Sequence, residues 1–390
     1  MQTADKNMDW EHLLKVRREL HQNAELGLQE YQTSQIIKRE LKRMGIPTES
    51  IYGTGVAAVI RGARPGKTLL YRADMDALPV VEDTGLSYAS KNSGVMHACG
   101  HDIHMVCALG VAEMISRMRG KMHGNLKLMF QPCEENVPGG AKQMIEAGIL
   151  EHPKVDAAFA LHVLPDFFAG HYLADIGAVT AAPSWFEIEV EGRGGHASEP
   201  EKCINPMDSA SRIYLEIQKL HHHYAKAANK TVVCPTMFHS GNAQNIIPDL
   251  CTISGTVRTF SEDDISKIHQ DLKVICSQEE EGSGARCTLH FRTSMNSVVN
   301  HPEMTRLMRE TIQSMYGDSA LEKRPFYFTG GEDYAFISDL VPSVFLFVGA
   351  GRIEKENYPL HNSKFCPDEG MIAPTINLLS HFVQKYLALP

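Results

Sequence analysis

The stretch SWFEIEVEG (184–192) sets Phe186, Ile188 and Val190 against Glu187, Glu189 and Glu191 at every second position, the pattern of a strand buried on one face only. A helical spacing follows over 205–224, then strands TVVCPTMFHSG (231–241) and DLCTISGTVRTF (249–260), a second helical stretch over 262–279, and a last strand, ARCTLHFRT (285–293). The order β-α-β-β-α-β is that of a ferredoxin-like α+β sandwich, a unit complete in itself.

On either side the rhythm differs. Upstream, helices are expected at 9–21 and 30–44, the second stopped by Met44-Gly45-Ile46-Pro47. Strands GVAAVIRG (55–62) and KTLLYRADM (67–75), separated by a turn at Ala63-Arg64-Pro65-Gly66, lead to helix 101–119, strand NLKLMFQP (125–132), helix 140–150 and strand VDAAFALHV (155–163). Helix 301–316, strand SVFLFVG (343–349) and helix 369–387 resume this style after the sandwich. The alternation predicts an α/β domain with helices covering its sheet. It comprises 1–183 and 297–390 and is interrupted by 184–296.

A chain of 390 residues suits two domains better than one core. With 43% hydrophobic and 22% charged residues it is of ordinary globular composition. A formal net charge of -9 argues against nucleic acid or an anionic membrane as partner and leaves a small molecule. The opening MQTADKNMDWEHLLKVRREL has no apolar core of a secretory signal, and nowhere do about 18 apolar residues run together as a membrane span needs. Nine cysteines, scattered from Cys99 to Cys366, read as reduced thiols, so a cytoplasmic location is expected. Nineteen histidines invite a search for metal ligands.

Four segments place such ligands at strand ends or helix starts: HACGHDIH (97–104), QPCEEN (131–136), LHV (161–163) and LHN (360–362). Cys99 and His101 flank Gly100, and a thiolate with an imidazole at this spacing suits zinc or a neighbouring metal; the plain alternative is a buried small residue and a helix-start histidine. His97 and His104 are weaker candidates for donors behind the ligands. Glu134 and Glu135 follow an apolar strand and point different ways, so one can bind metal while the other moves a proton between water and a leaving nitrogen; two solvated glutamates would be the plainer reading. His162 and His361, each taken alone, are ordinary structural histidines. Asp74 and Asp76 share one face of a strand end, where they either orient histidines or bridge metals, or cap the turn before Pro79. His196 lies on the glycine-rich turn GRGGHASEP (192–200), and Arg258 offers a strand-borne fork to a carboxylate or is a surface charge. His221-His222-His223 reads as a solvated helix face. Neither a glycine-rich phosphate loop nor a GxSxG elbow is present, so serine chemistry has no support.

Taken in order, RADMDALP (72–79), MHACGHDIH (96–104), FQPCEE (130–135) with PGGAKQMIEAG (138–148), LHV, EGRGGHAS (191–198), NAQNIIPDLCTISGTVRTF (242–260), GGEDYAFI (330–337) and LHNSKFCPDE (360–369) resemble the amidohydrolase and metallopeptidase family of hippurate hydrolases, N-acetyldiaminopimelate deacetylase and indole-3-acetyl-amino acid hydrolases. The match covers nearly the whole chain. It implies a zinc-exopeptidase-like catalytic metal-binding domain (1–183 and 297–390) with an inserted ferredoxin-like lid and dimerisation domain (184–296). It also implies cleavage of the amide bond of an N-acyl amino acid by metal-activated water. The metal ligands would be Cys99, His101, Glu135, His162 and His361, holding two divalent ions, zinc or manganese. Glu134 would be general base and acid, with His196 at the oxyanion and Asp76 in the catalytic set. Asn245 and Arg258 would hold the substrate carboxylate, with Gly330 and Gly331 lining the substrate site. A homodimer through the lid is implied, in which His196 serves either its own or the neighbouring chain.

The chain departs from the family pattern at Glu199-Pro200-Glu201, where Pro-His is usual, at Cys133, where alanine is common, and in GGEDY for GAEDF. The carboxylates after GGHAS point to an amine-bearing substrate. A dipeptidase or carboxypeptidase using the same site is the alternative within enzymes. A non-catalytic metal- and ligand-binding homologue is the alternative outside them, and it would have no use for Glu134.

Overall fold

A computed structural model describes residues 8–137, 139–225 and 230–389; the first seven residues of the charged opening stretch, and Pro138 of PGGAKQMIEAG, lie outside these. The chain divides into two compact units. One comprises the chain up to Gly177, Val299–Pro325 and the chain from Asp333 on; the other comprises Ala178–Val298 and Phe326–Glu332.

The first unit is built on a seven-stranded mixed sheet in the order Thr48–Ser50, Val56–Arg61, His123–Gln131, Arg64–Asp74, Ala157–Phe168, Ser343–Gly351, Tyr172–Leu173. The four central strands are parallel. Their middles are buried on both faces, which is why their sequences are nearly continuous apolar runs rather than alternating ones. Helix His101–Met118 is buried from His101 to Ile115, and so has no polar face to show. Helix Trp10–Gln22 instead buries Leu13, Val16 and Leu20 along one stripe and starts at Asp9, whose carboxylate accepts from the His12 backbone N–H. Because the central strands are parallel, their carboxyl ends share a rim, where Asp74 lies beside Gln131 and His162 beside Phe347. Loops leaving such a rim are where α/β sheets carry their chemistry.

Three local expectations need correction. Arg64-Pro65-Gly66 belongs to the strand Arg64–Asp74, with Arg64 paired to His123 across a register shift before Thr68; the irregular pairing spares the proline the N–H it lacks. The helix expected over 140–150 runs only Ala141–Glu146, closed by bonds from Ala147 and Gly148 N–H to the Gln143 and Ile145 carbonyls. Residues Glu369–Met371 form a 3-10 turn, and the final helix is Ile372–Leu387. No helix among the described residues is long and apolar enough to cross a membrane. All nine cysteines are free thiols.

The second unit is an antiparallel four-stranded sheet in the order Val232–Ser240, Leu250–Thr259, Ala182–Glu191, Arg286–Thr293. Helices Pro206–Ala225 and Glu262–Ser283 contribute Ile213, Ile217, Ile268 and Leu272 to a core with Phe186, Ile188, Val190, Ile253 and Val257 from the sheet. The strand and helix order is β-α-β-β-α-β, as expected from the succession of elements over 184–296. Alternation also dictates the opposite face: Trp185, Glu187 and Glu189 stand on it, with Arg258, His290 and Arg292 from the flanking strands. The segment Phe326–Glu332 packs here through Ala181 N–H, which donates to the Phe328 and Gly330 carbonyls.

Candidate metal centre

Five of the residues expected to bind metal converge on the rim of the first unit. Gly100 starts the helix His101–Met118 at φ 84°, and a Cβ there would sit 2.4 Å from Val163 Cγ2. Only glycine makes this turn, and the turn presents Cys99 and His101 to the same point. Cys99, His101 and His162 bring their ligand atoms within 4.8 Å of one another, and so do Cys99, Glu135 and His361. Cys99 Sγ is 3.4 Å from His162 Nε2, and Glu135 Oε1 is 3.3 Å from His361 Nε2 and 3.9 Å from His101 Nε2. His361 is brought in by its backbone, whose N–H donates to the Ala98 carbonyl at 2.8 Å, with φ held at 66°. Glu134 joins the group through a cluster with His101 and Glu135.

The side chains behind these candidate ligands set their chemistry. His101 Nδ1 donates to the Asp76 carbonyl at 2.8 Å, and His162 Nδ1 to the Val163 carbonyl at 2.8 Å. Carbonyls only accept, so each ring keeps its Nε2 lone pair for the cluster. Asp76 also accepts from the Glu135 N–H at 3.0 Å through Oδ2, which puts it behind two ligands at once. His104 is not aimed at the cluster: Nδ1 donates to Asp74 Oδ1 at 2.6 Å and Nε2 accepts from Val163 N–H at 3.1 Å. His97 is fully buried, which pulls its pKa down to about 4.

Thiolate, imidazole and carboxylate donors fit zinc or a neighbouring divalent ion, and two observations fit the arrangement to a cation. His101 Nε2 and Glu135 Oε1 are both buried without a hydrogen-bond partner, an arrangement costing about 1–3 kcal/mol for each such atom that an ion between them relieves. The two donor triads share Cys99 and together offer five donors, a set large enough to be divided between two ions. In the metal-free chain burial pushes the Cys99 thiol well up, assisted by Glu135 and Glu134. Burial pulls the other way on His101, but Asp74 and Asp76 raise it to about 10. Metal binding at this centre therefore displaces protons.

Two networks brace the centre that the sequence did not disclose. In one, the buried Arg72 reaches Asp74 at 2.7 Å, Gln131 at 2.8 Å and Asp333 at 3.1 Å. Gln131 Nε2 donates to both Asp333 oxygens at 2.8 Å, and Ala141 N–H donates to Oδ2 at 2.9 Å. Asp333 also fills the space beside Gly139, where a Cβ would come within 2.0 Å of it. It thereby ties down the loop that carries Glu134 and Glu135. In the other, Asp102 pairs with Arg17 at 2.9 Å and with His21 Nδ1 at 2.8 Å, while His21 Nε2 meets Glu82 at 3.2 Å. Burial would raise the Asp102 carboxyl, yet Arg17 and His21 hold it well below the usual carboxylate range. An arginine in the middle of the apolar KTLLYRADM was the available signal for the first network. Cys133 has a structural place: it sits at φ 57° with its N–H donated to buried Glu30 at 2.9 Å.

The remaining expected residues belong to the second unit. His196 is paired with Ile246 in a two-stranded ribbon, and Ala197 N–H donates to the Asn245 carbonyl at 3.1 Å, so His196 and Asn245 are neighbours. Ser198 N–H donates to His196 Nδ1 at 3.1 Å, which leaves the ring proton on Nε2 as a free donor. Arg258 lies half-buried opposite Pro183, and Gly331 approaches the same proline. Gly330 lies against Phe328.

Residues 70–385 match the model of a family described as peptidase family M20/M25/M40. The chain is 37% identical over 370 residues to thermostable carboxypeptidase 2 of Saccharolobus solfataricus, covering 93% of this chain and 92% of that one. It is 33% identical over 350 residues to an N-acetylcysteine deacetylase of Bacillus subtilis, with 89% and 90% covered. A solved Bacillus subtilis protein, described as a dinuclear metal-binding peptidase of the M20 family, superimposes with a TM-score of 0.85 at 29% identity over 97% of this chain and 98% of its own.

Proposed function

The chain belongs to peptidase family M20/M25/M40, and from that premise we propose that this metal-dependent hydrolase cleaves the amide bond of N-acylated amino acids that carry a free carboxylate. The observation that carries the reading is a pair of buried ligand atoms without a hydrogen bond, His101 Nε2 and Glu135 Oε1, clustered with Glu134.

The roles follow from position. Cys99, His101, Glu135, His162 and His361 would hold two divalent ions, zinc or manganese. When bound, the ions supply a polarised carbonyl and a water acidic enough to be deprotonated near neutral pH. Glu134 takes the proton from the attacking water and delivers it to the leaving nitrogen, which cannot depart as an anion. His196, with its proton on Nε2, donates to the oxyanion as the carbonyl carbon becomes tetrahedral. Arg258 forks onto the substrate carboxylate, with Asn245, Gly330 and Gly331 beside it. Asp76 keeps His101 and Glu135 in place. In this reading residues 1–183 and 297–390 are the catalytic domain and 184–296 a lid through which two chains pair.

Similarity to carboxypeptidases supports a second reading, removal of a carboxy-terminal amino acid from a short peptide. Both reactions cleave an amide whose nitrogen belongs to an amino acid with a free carboxylate. Nine free thiols suit a reducing compartment, and we assign the chain to the cytoplasm.

The test is a panel of N-acetyl, N-benzoyl and indole-acetyl amino acids and dipeptides, assayed with the chelated chain and again after zinc or manganese is restored. Turnover that returns with metal supports the reading, and its rank order decides between acyl group and peptide. No turnover on any member would instead favour a binding protein.

A further inference from the structure

The face of the second unit's sheet opposite its helices holds two cations on one aromatic ring. Trp185 stands on the strand Ala182–Glu191, directly opposite Arg292 on one neighbouring strand, while Arg258 on the other neighbour pairs with Pro183, two residues away. The guanidinium carbons of Arg258 and Arg292 lie 5.6 Å and 5.3 Å from the indole centroid, within cation–π range. Among the described residues no carboxylate is within 4.0 Å of either. Of the two acids on this face, Glu187 accepts from Ser254 Oγ at 3.1 Å, and Glu189 stands four residues along the strand from Trp185. Partial burial without such a partner lowers the Arg258 pKa. A cavity of about 720 Å³ opens beside Trp185 and Arg292.

Like charges gathered on one ring repel, and each guanidinium presents a planar fork suited to a carboxylate. The shared indole steadies both guanidinium groups; Arg258 Nη1 donates to the Val257 carbonyl at 3.2 Å, and a guanidinium carries five N–H donors, so others remain for a ligand. The strands that bear them flank a third, so their backbones are two strand spacings apart, about 10 Å, a gap bridged by two long side chains and a short dicarboxylate. Of the carboxylates that had suggested an amine-bearing substrate, Glu199 is engaged by Lys202 at 2.7 Å.

We propose that Arg292 is a second carboxylate receptor beside Arg258, so that the favoured substrate is an N-acylated acidic amino acid, whose side-chain carboxylate Arg292 takes. This rests on the reading that Arg258 holds the α-carboxylate.

Trp185 and Trp10 are the chain's two tryptophans, so Trp10→Phe leaves Trp185 as the sole indole reporter. In the full-length, metal-free chain, titration with glutarate should give a saturable change in its fluorescence, with affinity about tenfold or more above that for butyrate. Arg292→Gln should remove that preference. Equal affinities, no saturation, or a preference that survives Arg292→Gln would overturn the proposal. With metal restored, kcat/KM for N-acetylglutamate over N-acetylleucine should exceed one and fall about 10- to 100-fold in Arg292→Gln, through KM. A ratio of one or less in the unsubstituted chain, or one unmoved by the substitution, would also overturn it. If neither compound nor any other amide is hydrolysed, the hydrolase reading fails, while the fluorescence titration still decides the receptor.

Discussion

The rim of the parallel sheet and the helix-free face of the antiparallel one hold their candidate functional side chains in opposite ways. On the rim, His101, His162 and Glu135 are each fixed from behind, by the Asp76 carbonyl, the Val163 carbonyl and the Asp76 carboxylate. What His101 Nε2 and Glu135 Oε1 lack is a hydrogen bond in front. On the sheet face, Arg258 and Arg292 are steadied by an indole without a carboxylate partner, and in the neighbouring two-stranded ribbon His196 accepts from Ser198. Rigid, buried placement is what reaction geometry requires, whereas a recognition face works with half-exposed groups that a ligand can complete.

Substitutions sharpen or break this contrast. The largest effect is expected from His101→Ala, which should weaken metal binding by more than about 100-fold, as calorimetric zinc titration would register, and abolish turnover with it. If the variant bound two ions normally, the rim would not be the metal centre. His196→Ala should lower kcat by about 100- to 1,000-fold while leaving metal content unchanged by elemental analysis; loss of metal here would erase the distinction between the regions. Asp333→Asn tests bracing rather than ligation. It keeps the shape of a side chain that accepts from Arg72, Gln131 and Ala141, and kcat should fall about 10-fold with both metals retained and KM little changed. A parallel loss in KM would point to a general loosening instead.

The smallest effect concerns pH. Burial would raise the Glu82 carboxyl, but His21, the Ser90 N–H and Thr84 hold it at about 2. A depressed folded pKa stabilises the chain above the unfolded carboxylate value of about 4.3, and this stabilisation is lost as pH falls toward 2. The melting temperature should therefore drop across that window, and Glu82→Gln should flatten the drop. An identical slope in both proteins would remove Glu82 from the brace around Asp102.

The same contrast explains what could be read from the sequence. Alternation in 184–192 and apolar runs such as 125–132 are local signals, and they disclosed both sheets. Cys99-Gly100-His101 and Glu134-Glu135 are also local, because a metal loop and a strand exit each lie within a few residues. Arg72 and Asp333 are 261 residues apart, and no short window contains their pairing. The proline and glycine of 64–66 signalled a turn, which the pairing of Arg64 with His123 overrode. Arg292 carries no local signal, and only strand register sets it opposite Trp185.

The central claim is that the rim binds metal with one set of groups and moves protons with another. Glu134→Gln separates the two. The account predicts two divalent ions per chain, as in the unsubstituted protein, with amide hydrolysis reduced about 1,000-fold. Full activity in this variant, or loss of the ions together with turnover, would contradict it.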